Sequence, residues 1–161
     1  MNELIDLLSN SRLTILGYTY KNERIKDELI SSISSIRLDE NFSSNSFLQY
    51  LRDKKISNLL NDEKSSKFIT FDLLDIQNDD PRWYEEQNIN RIKDLHHIRN
   101  YLSENYRLVI SAPFYKGVDD KNHIKGGEKI IYIADLVLYI EDDKKLKVIK
   151  SRHTDKGYIY V

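Results

Sequence analysis

Apolar positions along the first two thirds of the chain alternate between two spacings. Leu13-Thr14-Ile15-Leu16-Gly17 is a short β-prone run closed by a glycine, which predicts a buried strand followed by a tight turn. Ile25, Leu29 and Ile33 then recur every four residues among charged neighbours, so one face of residues 23–34 is apolar, as a packed helix requires. A brief alternation around Ile36 and Leu38 predicts a second short strand within 35–40. Polar residues 41–46 read as a loop, and Phe47, Leu48, Leu51, Ile56, Leu59 and Leu60 predict a helical stripe through residue 60. Lys67-Phe68-Ile69-Thr70-Phe71-Asp72-Leu73-Leu74 is nearly continuous in aliphatic and aromatic residues, the pattern of a strand covered on both faces. After a loop at Asp79-Asp80-Pro81, Ile89, Ile92, Leu95, Ile98 and Leu102 predict a long helix ending near Asn105, and Leu108-Val109-Ile110-Ser111 predicts the next strand.

The last third changes character. Residues 113–127 are polar and hold three glycines, which predicts an irregular loop of a length often put to functional use. Ile130–Ile140, Leu146–Lys150 and Tyr158–Val161 read as strand-rich blocks, with 141–144 and 154–157 as hairpin connections. Helices alternating with strands and then giving way to strands alone describe an α/β fold: a mainly parallel sheet flanked by helices and finished by an antiparallel meander.

Composition narrows the function classes. The 161 residues fit one domain, taken as 1–161. With 25 Lys and Arg against 26 Asp and Glu, the net charge of -1 gives no bulk attraction to nucleic acid, so any such contact needs a local patch. Zero cysteines exclude disulfides, thiolate zinc sites and cysteine nucleophiles, and suit a reducing compartment. Residues 1–8 carry Glu3 and Asp6 and do not resemble a signal peptide, and no run approaches the roughly 20 apolar residues of a membrane span. The expectation is a cytoplasmic protein without membrane contact. The richness in Ile, Asn, Asp, Lys, Ser and Tyr resembles proteins of AT-rich genomes, many phage proteins among them. His96 and His97 are neighbours on a helix and diverge, so they form no chelating pair, and no metal is expected.

The tail carries a resemblance. Ile133-Ala134-Asp135-Leu136-Val137-Leu138-Tyr139-Ile140, an acidic turn, and then Leu146-Lys147-Val148-Ile149-Lys150-Ser151-Arg152 is similar to the end of RecA-like ATPase cores, especially those of hexameric replicative helicases and RecA-type recombinases. The resemblance implies that Lys150 and Arg152 form a Lys-x-Arg finger reaching a neighbouring subunit's nucleotide site. It further likens Phe68–Asp72 to the strand that ends in the metal-associated acid, placing Asp72 in that role, and residues 4–28 to the family's opening. Residues 108–112 resemble the strand that ends in a sensor Gln, but Ser111, Ala112 and Pro113 stand there instead.

The departure from the pattern bears on catalysis. A phosphate loop needs G-x-x-x-x-G-K-[ST], with glycines letting backbone amides wrap the phosphates, a lysine for their charge and a hydroxyl for magnesium. Aligned on Gly17, this chain offers Lys21 within the loop and then Asn22, Glu23 and Arg24 where Gly, Lys and Ser or Thr belong. Glu23 reverses the charge that holds a triphosphate. ATP hydrolysis is therefore not expected, nor is a bound cofactor or a catalytic residue.

Other chemistry is thinly supported. A restriction-type nuclease would follow Asp135 with Glu-x-Lys on the next strand, but Val148-Ile149-Lys150 lacks the second carboxylate. Tyrosines interleaved with Lys116, Lys121, His123 and Lys125 in and around the 113–127 loop form a candidate single-stranded DNA surface. The sequence thus points to a non-catalytic RecA-like binding protein whose partner is a RecA-like helicase or recombinase. The alternative is an enzyme with an atypical nucleotide or nucleic-acid site around Asp72 and the 113–127 loop.

Overall fold

The computed structural model describes residues 1–37, 67–72, 106–116, 122–124 and 129–161, together with Asn90, Lys93 and His97, which are helical. The predicted helix through residue 60, the loop at 79–81 and most of the helix over 89–105 lie outside the described residues.

Helix α1 (Asn2–Ser9) leads into β1 (Leu13–Tyr18), a 3-10 turn (Tyr20–Asn22) and α2 (Glu23–Ile33). Then come β2 (Ile36–Arg37), β3 (Lys67–Asp72), β4 (Tyr106–Lys116) and β5 (Asn122–Ile124). Helix α3 (Lys129–Ile133) precedes β6 (Leu136–Ile140), β7 (Lys145–Ser151) and β8 (Tyr158–Tyr160). The sheet runs β2-β3-β4-β1-β6-β7-β8. It is parallel from β2 to β6 and antiparallel for the last two strands. β5 pairs with the far end of β4. The expected parallel core with an antiparallel finish is thus the observed architecture.

Strand alternation sorts the apolar residues onto two faces. Leu16, Tyr18, Val109, Leu138 and Leu146 meet Leu4, Leu7 and Leu8 of α1 and Leu29, Ile30 and Ile33 of α2. Leu13, Ile15, Ile69, Phe71, Leu108, Ile110 and Val137 form the opposite layer, against which Ile131 and Ile133 of α3 pack. With a layer on each side, all six residues of β1 are buried, which is why it shows no alternation of apolar and charged residues.

Asp135 ties the two halves of the sheet together. Its Oδ2 accepts the amides of Arg12 at 3.1 Å and Leu13 at 3.2 Å, while its own amide donates to the Leu13 carbonyl at 2.9 Å. These bonds bring the starts of β1 and β6 together and set the register Thr14 to Leu136.

Three expectations need correction. Gly17 does not close the strand: β1 continues to Tyr18, and Gly17 pairs with Ala112 on one side and Tyr139 on the other. Residues 113–127 are not one irregular loop, because β4 runs on to Lys116 and β5 returns beside it. The block 130–140 is not strand throughout, since residues 129–133 are α3. A short apolar run suits either state, and tertiary contact arbitrates. Here Ile131 and Ile133 pack on the sheet, and the Lys150 ammonium donates to the carbonyls of Ile131 at 3.0 Å and Tyr132 at 3.2 Å.

Lys150 reaches α3 because of an irregularity in the β6–β7 ladder. Val148 pairs with Leu138, but Lys150 pairs with Val137, so Ile149 is the extra residue of a bulge. The added residue moves the following side chain to the other face of the sheet. Lys150 consequently lies on the α3 side, opposite Val148.

Candidate functional site

The parallel strands carry a charged cluster at their C-terminal edge, where α/β sheets usually present ligand sites. Helix α2 begins shortly after β1 ends, so its fourth residue, Lys26, is turned back against the sheet. Lys26 is only 3 % exposed. Its ammonium lies 2.8 Å from Asp27, 3.6 Å from Asp72 at the end of β3, and 4.9 Å above the Tyr18 ring. Arg37, the last residue of β2, contacts both Asp27 and Asp72 at 3.3 Å. The Ser111 hydroxyl on β4 donates to Asp72 Oδ1.

Two cations thus face two carboxylates across strands β2, β3 and β4 and helix α2. A hydrogen bond from Lys26 is the main influence on Asp27; with the charges of Lys26 and Arg37 it outweighs burial and holds the carboxyl below its ordinary value. Burial works against the charge of Arg37, but Asp72 and then Asp27 more than offset it and raise the guanidinium's pKa. Both oxygens of Asp72 are engaged, Oδ1 by Ser111 and Oδ2 by Arg37 and Lys26. A metal ion at Asp72 would have to displace these donors. Among the described residues, no group of three or more His, Cys, Asp or Glu is placed to hold a metal.

The segment aligned with a phosphate loop is taken up by other contacts. Only residues 19–22 separate β1 from α2, and three of them form the 3-10 turn. The segment has the motif's length but neither its second glycine nor its lysine and hydroxyl, so the groups that hold a triphosphate are missing. The Asn22 side-chain amide donates to the carbonyls of Ile140 at 2.9 Å and Glu141 at 3.3 Å, fastening the turn to the end of β6. The Phe114 ring fills the space over Gly17. Lys21, Glu23 and Arg24 are exposed, and Arg24 bridges Glu28 at 2.6 Å.

The finger-like residues lie elsewhere. Lys150 lies in, and Arg152 just beyond, the end of β7 that pairs with the start of β6, so both stand at the sheet edge opposite Asp72. Lys150 is held by the α3 carbonyls. The Arg152 side chain is 68 % exposed, and its Nη1 lies 3.8 Å from Asp135 Oδ1. His123 on β5 and Tyr115 on β4 bring their rings to 5.6 Å. Lys116 belongs to β4, whereas Lys121 and Lys125 lie outside the described residues.

Asp72 is therefore the one sequence-derived site residue that enters the charged cluster. Lys26, Asp27, Arg37 and Ser111 were not legible as site residues, although one signal existed. Lys26 shares the spacing of Leu29, Ile30 and Ile33, so it is a charge within the apolar stripe of its own helix.

No described helix is long and apolar enough to cross a membrane. In comparisons with known proteins, no family model matches this chain. No curated protein matches it either, so the case for its function rests on the geometry above.

Proposed function

We propose that this is a non-catalytic binding protein on a RecA-like core, which docks onto a replication or recombination ATPase as a mock subunit. The observation that carries the reading is the β1–α2 connection: residues 20–22 are a 3-10 turn, Asn22, Glu23 and Arg24 stand where Gly, Lys and Ser or Thr belong, and Phe114 covers Gly17. The neutralisation of Asp72 by Lys26 and Arg37 supports it, because the acid that would serve magnesium is already satisfied. Asp72's engaged oxygens also count against an enzyme site built around that residue.

The exposed guanidinium of Arg152, at the opposite sheet edge, supplies the docking contact. Arginine presents a planar fork of donors suited to phosphate oxygens. Lys150 supports the same tail from beneath by holding α3. Single-stranded DNA is a second candidate ligand, through the Tyr115 and His123 hairpin.

The test has two parts. Thermal melting with and without ATP and magnesium is expected to show no shift, since a ligand that binds only the native state must raise the midpoint. Titration into the ATPase assay of a hexameric replicative helicase is expected to change turnover with the wild-type chain and not with Arg152→Ala. A magnesium-dependent rise with ATP alone, or identical action by Arg152→Ala, would overturn the proposal.

A further inference from the structure

Strand β8 closes the antiparallel end of the sheet, and among the described residues its outer edge has no strand neighbour. The Val148 amide donates to the Gly157 carbonyl at 2.8 Å and the Val161 amide to the Lys144 carbonyl at 2.9 Å, with Ile159 opposite Leu146 between them. Bonding alternates along an antiparallel ladder, so residues 157, 159 and 161 bond inward. The amides and carbonyls of Tyr158 and Tyr160 therefore point out of the sheet edge. Both side chains share one face with Lys147 and Lys145 and are exposed, Tyr160 by 63 %. The Lys145 ammonium stands 3.9 Å over the Tyr158 ring. Natural edge strands are commonly guarded by a charge, a proline or a bulge, but Tyr158-Ile159-Tyr160 carries neither charge nor proline.

We propose that this edge is a self-association surface on which two copies of the chain pair β8 with β8, antiparallel about a two-fold axis. In that register Tyr158 of one copy faces Tyr160 of the other, and the pattern repeats by symmetry. The outward groups then satisfy one another through about four backbone hydrogen bonds. Tyr158 and Tyr160 rings from the two copies form cross-strand aromatic pairs, with Lys145 and Lys147 flanking them on each side. The net charge of -1 leaves little repulsion between copies. Single-stranded nucleic acid fits this surface less well. It would leave the edge amides unpaired, and the turn beside it carries Glu141, Asp142 and Asp143. The paired strands are short, so the association is weak and grows with concentration.

Sedimentation of the purified chain alone tests this independently of any ATPase partner. The expected result is a mass rising from one chain towards two as concentration increases. Tyr160→Pro deletes an outward amide without touching the bonds to β7, and Tyr158→Lys removes one ring of each aromatic pair and crowds a third cation beside Lys145 and Lys147. Each is expected to weaken association by roughly tenfold, with circular dichroism and melting confirming that the variant is folded. The chain has no cysteine, so register can be read by cross-linking. Tyr158→Cys chains mixed with Tyr160→Cys chains should form a disulfide, and neither should do so alone. A one-chain mass at every concentration, a dimer indifferent to both substitutions, or equal cross-linking in the unmixed samples would overturn the proposal.

Discussion

The Phe114 ring lies against Gly17 so closely that a β-carbon at position 17 would stand 2.6 Å from Phe114 Cε1. The ring is buried and packs on Tyr139, centroid to centroid 5.7 Å, so it has little room to swing aside. Gly17 is needed for this contact between neighbouring strands, and its backbone pairs on both sides as strand. Gly17→Ala is expected to destabilise the fold by about 1–3 kcal/mol through overpacking. Urea denaturation would measure it. In combination with Phe114→Leu the total loss should fall short of the sum of the single losses, because both changes act on one contact.

Lys26 is the only charged side chain of the cluster that is almost wholly buried, and it touches both carboxylates. Lys26→Met leaves Asp27 and Asp72 facing each other with Arg37 as the remaining cation of the described cluster. Water reaches both carboxylates, with side-chain exposures of 49 % and 30 %, which limits the loss to about 1–3 kcal/mol. The exposed Arg24–Glu28 pair is the control. Arg24→Ala should change stability by less than about 1 kcal/mol. Equal effects of the two substitutions in denaturation experiments would contradict the assignment of Lys26 as the centre of the cluster.

The cluster also predicts an acid response. The carboxyl of Asp27 is held below its ordinary value by Lys26 and Arg37, so the folded state binds its proton less readily than the unfolded chain does. Its stabilising contribution is complete above the unfolded-state pKa and is lost as pH falls through the lower, folded-state value. Asp27→Asn should flatten the acid limb of the melting temperature plotted against pH. The effect near neutral pH should be a constant offset.

Lys150 and Arg152 should separate in experiment. Lys150→Ala removes charge-assisted hydrogen bonds to the last carbonyls of α3 and is expected to lower stability by about 1–2 kcal/mol. Faster amide exchange should be concentrated in residues 129–133. Arg152→Ala, at an exposed position with one long contact to Asp135, should change stability by less than about 1 kcal/mol. Loss of helicase modulation in Arg152→Ala without loss of stability would assign the docking role to that residue.

Much of the architecture was written in local pattern. The runs 13–17, 67–74 and 108–111 mark the central strands, because strands covered on both faces are nearly continuous in aliphatic, aromatic and β-branched residues. The 25-29-33 spacing marks α2, and the turns at 141–144 and 154–157 mark the final hairpins. The departure from G-x-x-x-x-G-K-[ST] after Gly17 was equally plain in the sequence.

Tertiary structure alone decided what these pieces do to one another. Residues 129–133 become a helix because the sheet offers Ile131 and Ile133 a place to pack and because a bulge at Ile149 aims Lys150 at the carbonyls of Ile131 and Tyr132. Gly17 is a packing residue because Phe114, ninety-seven positions away, crosses over it. Lys26, Asp27, Arg37, Asp72 and Ser111 form one cluster only after four elements converge at a single sheet edge. Propensity and periodicity act over a few neighbouring residues, and so they determined the elements. The partners of a buried charge or of a glycine's empty face come from distant parts of the chain, and only the folded sheet brings them within reach.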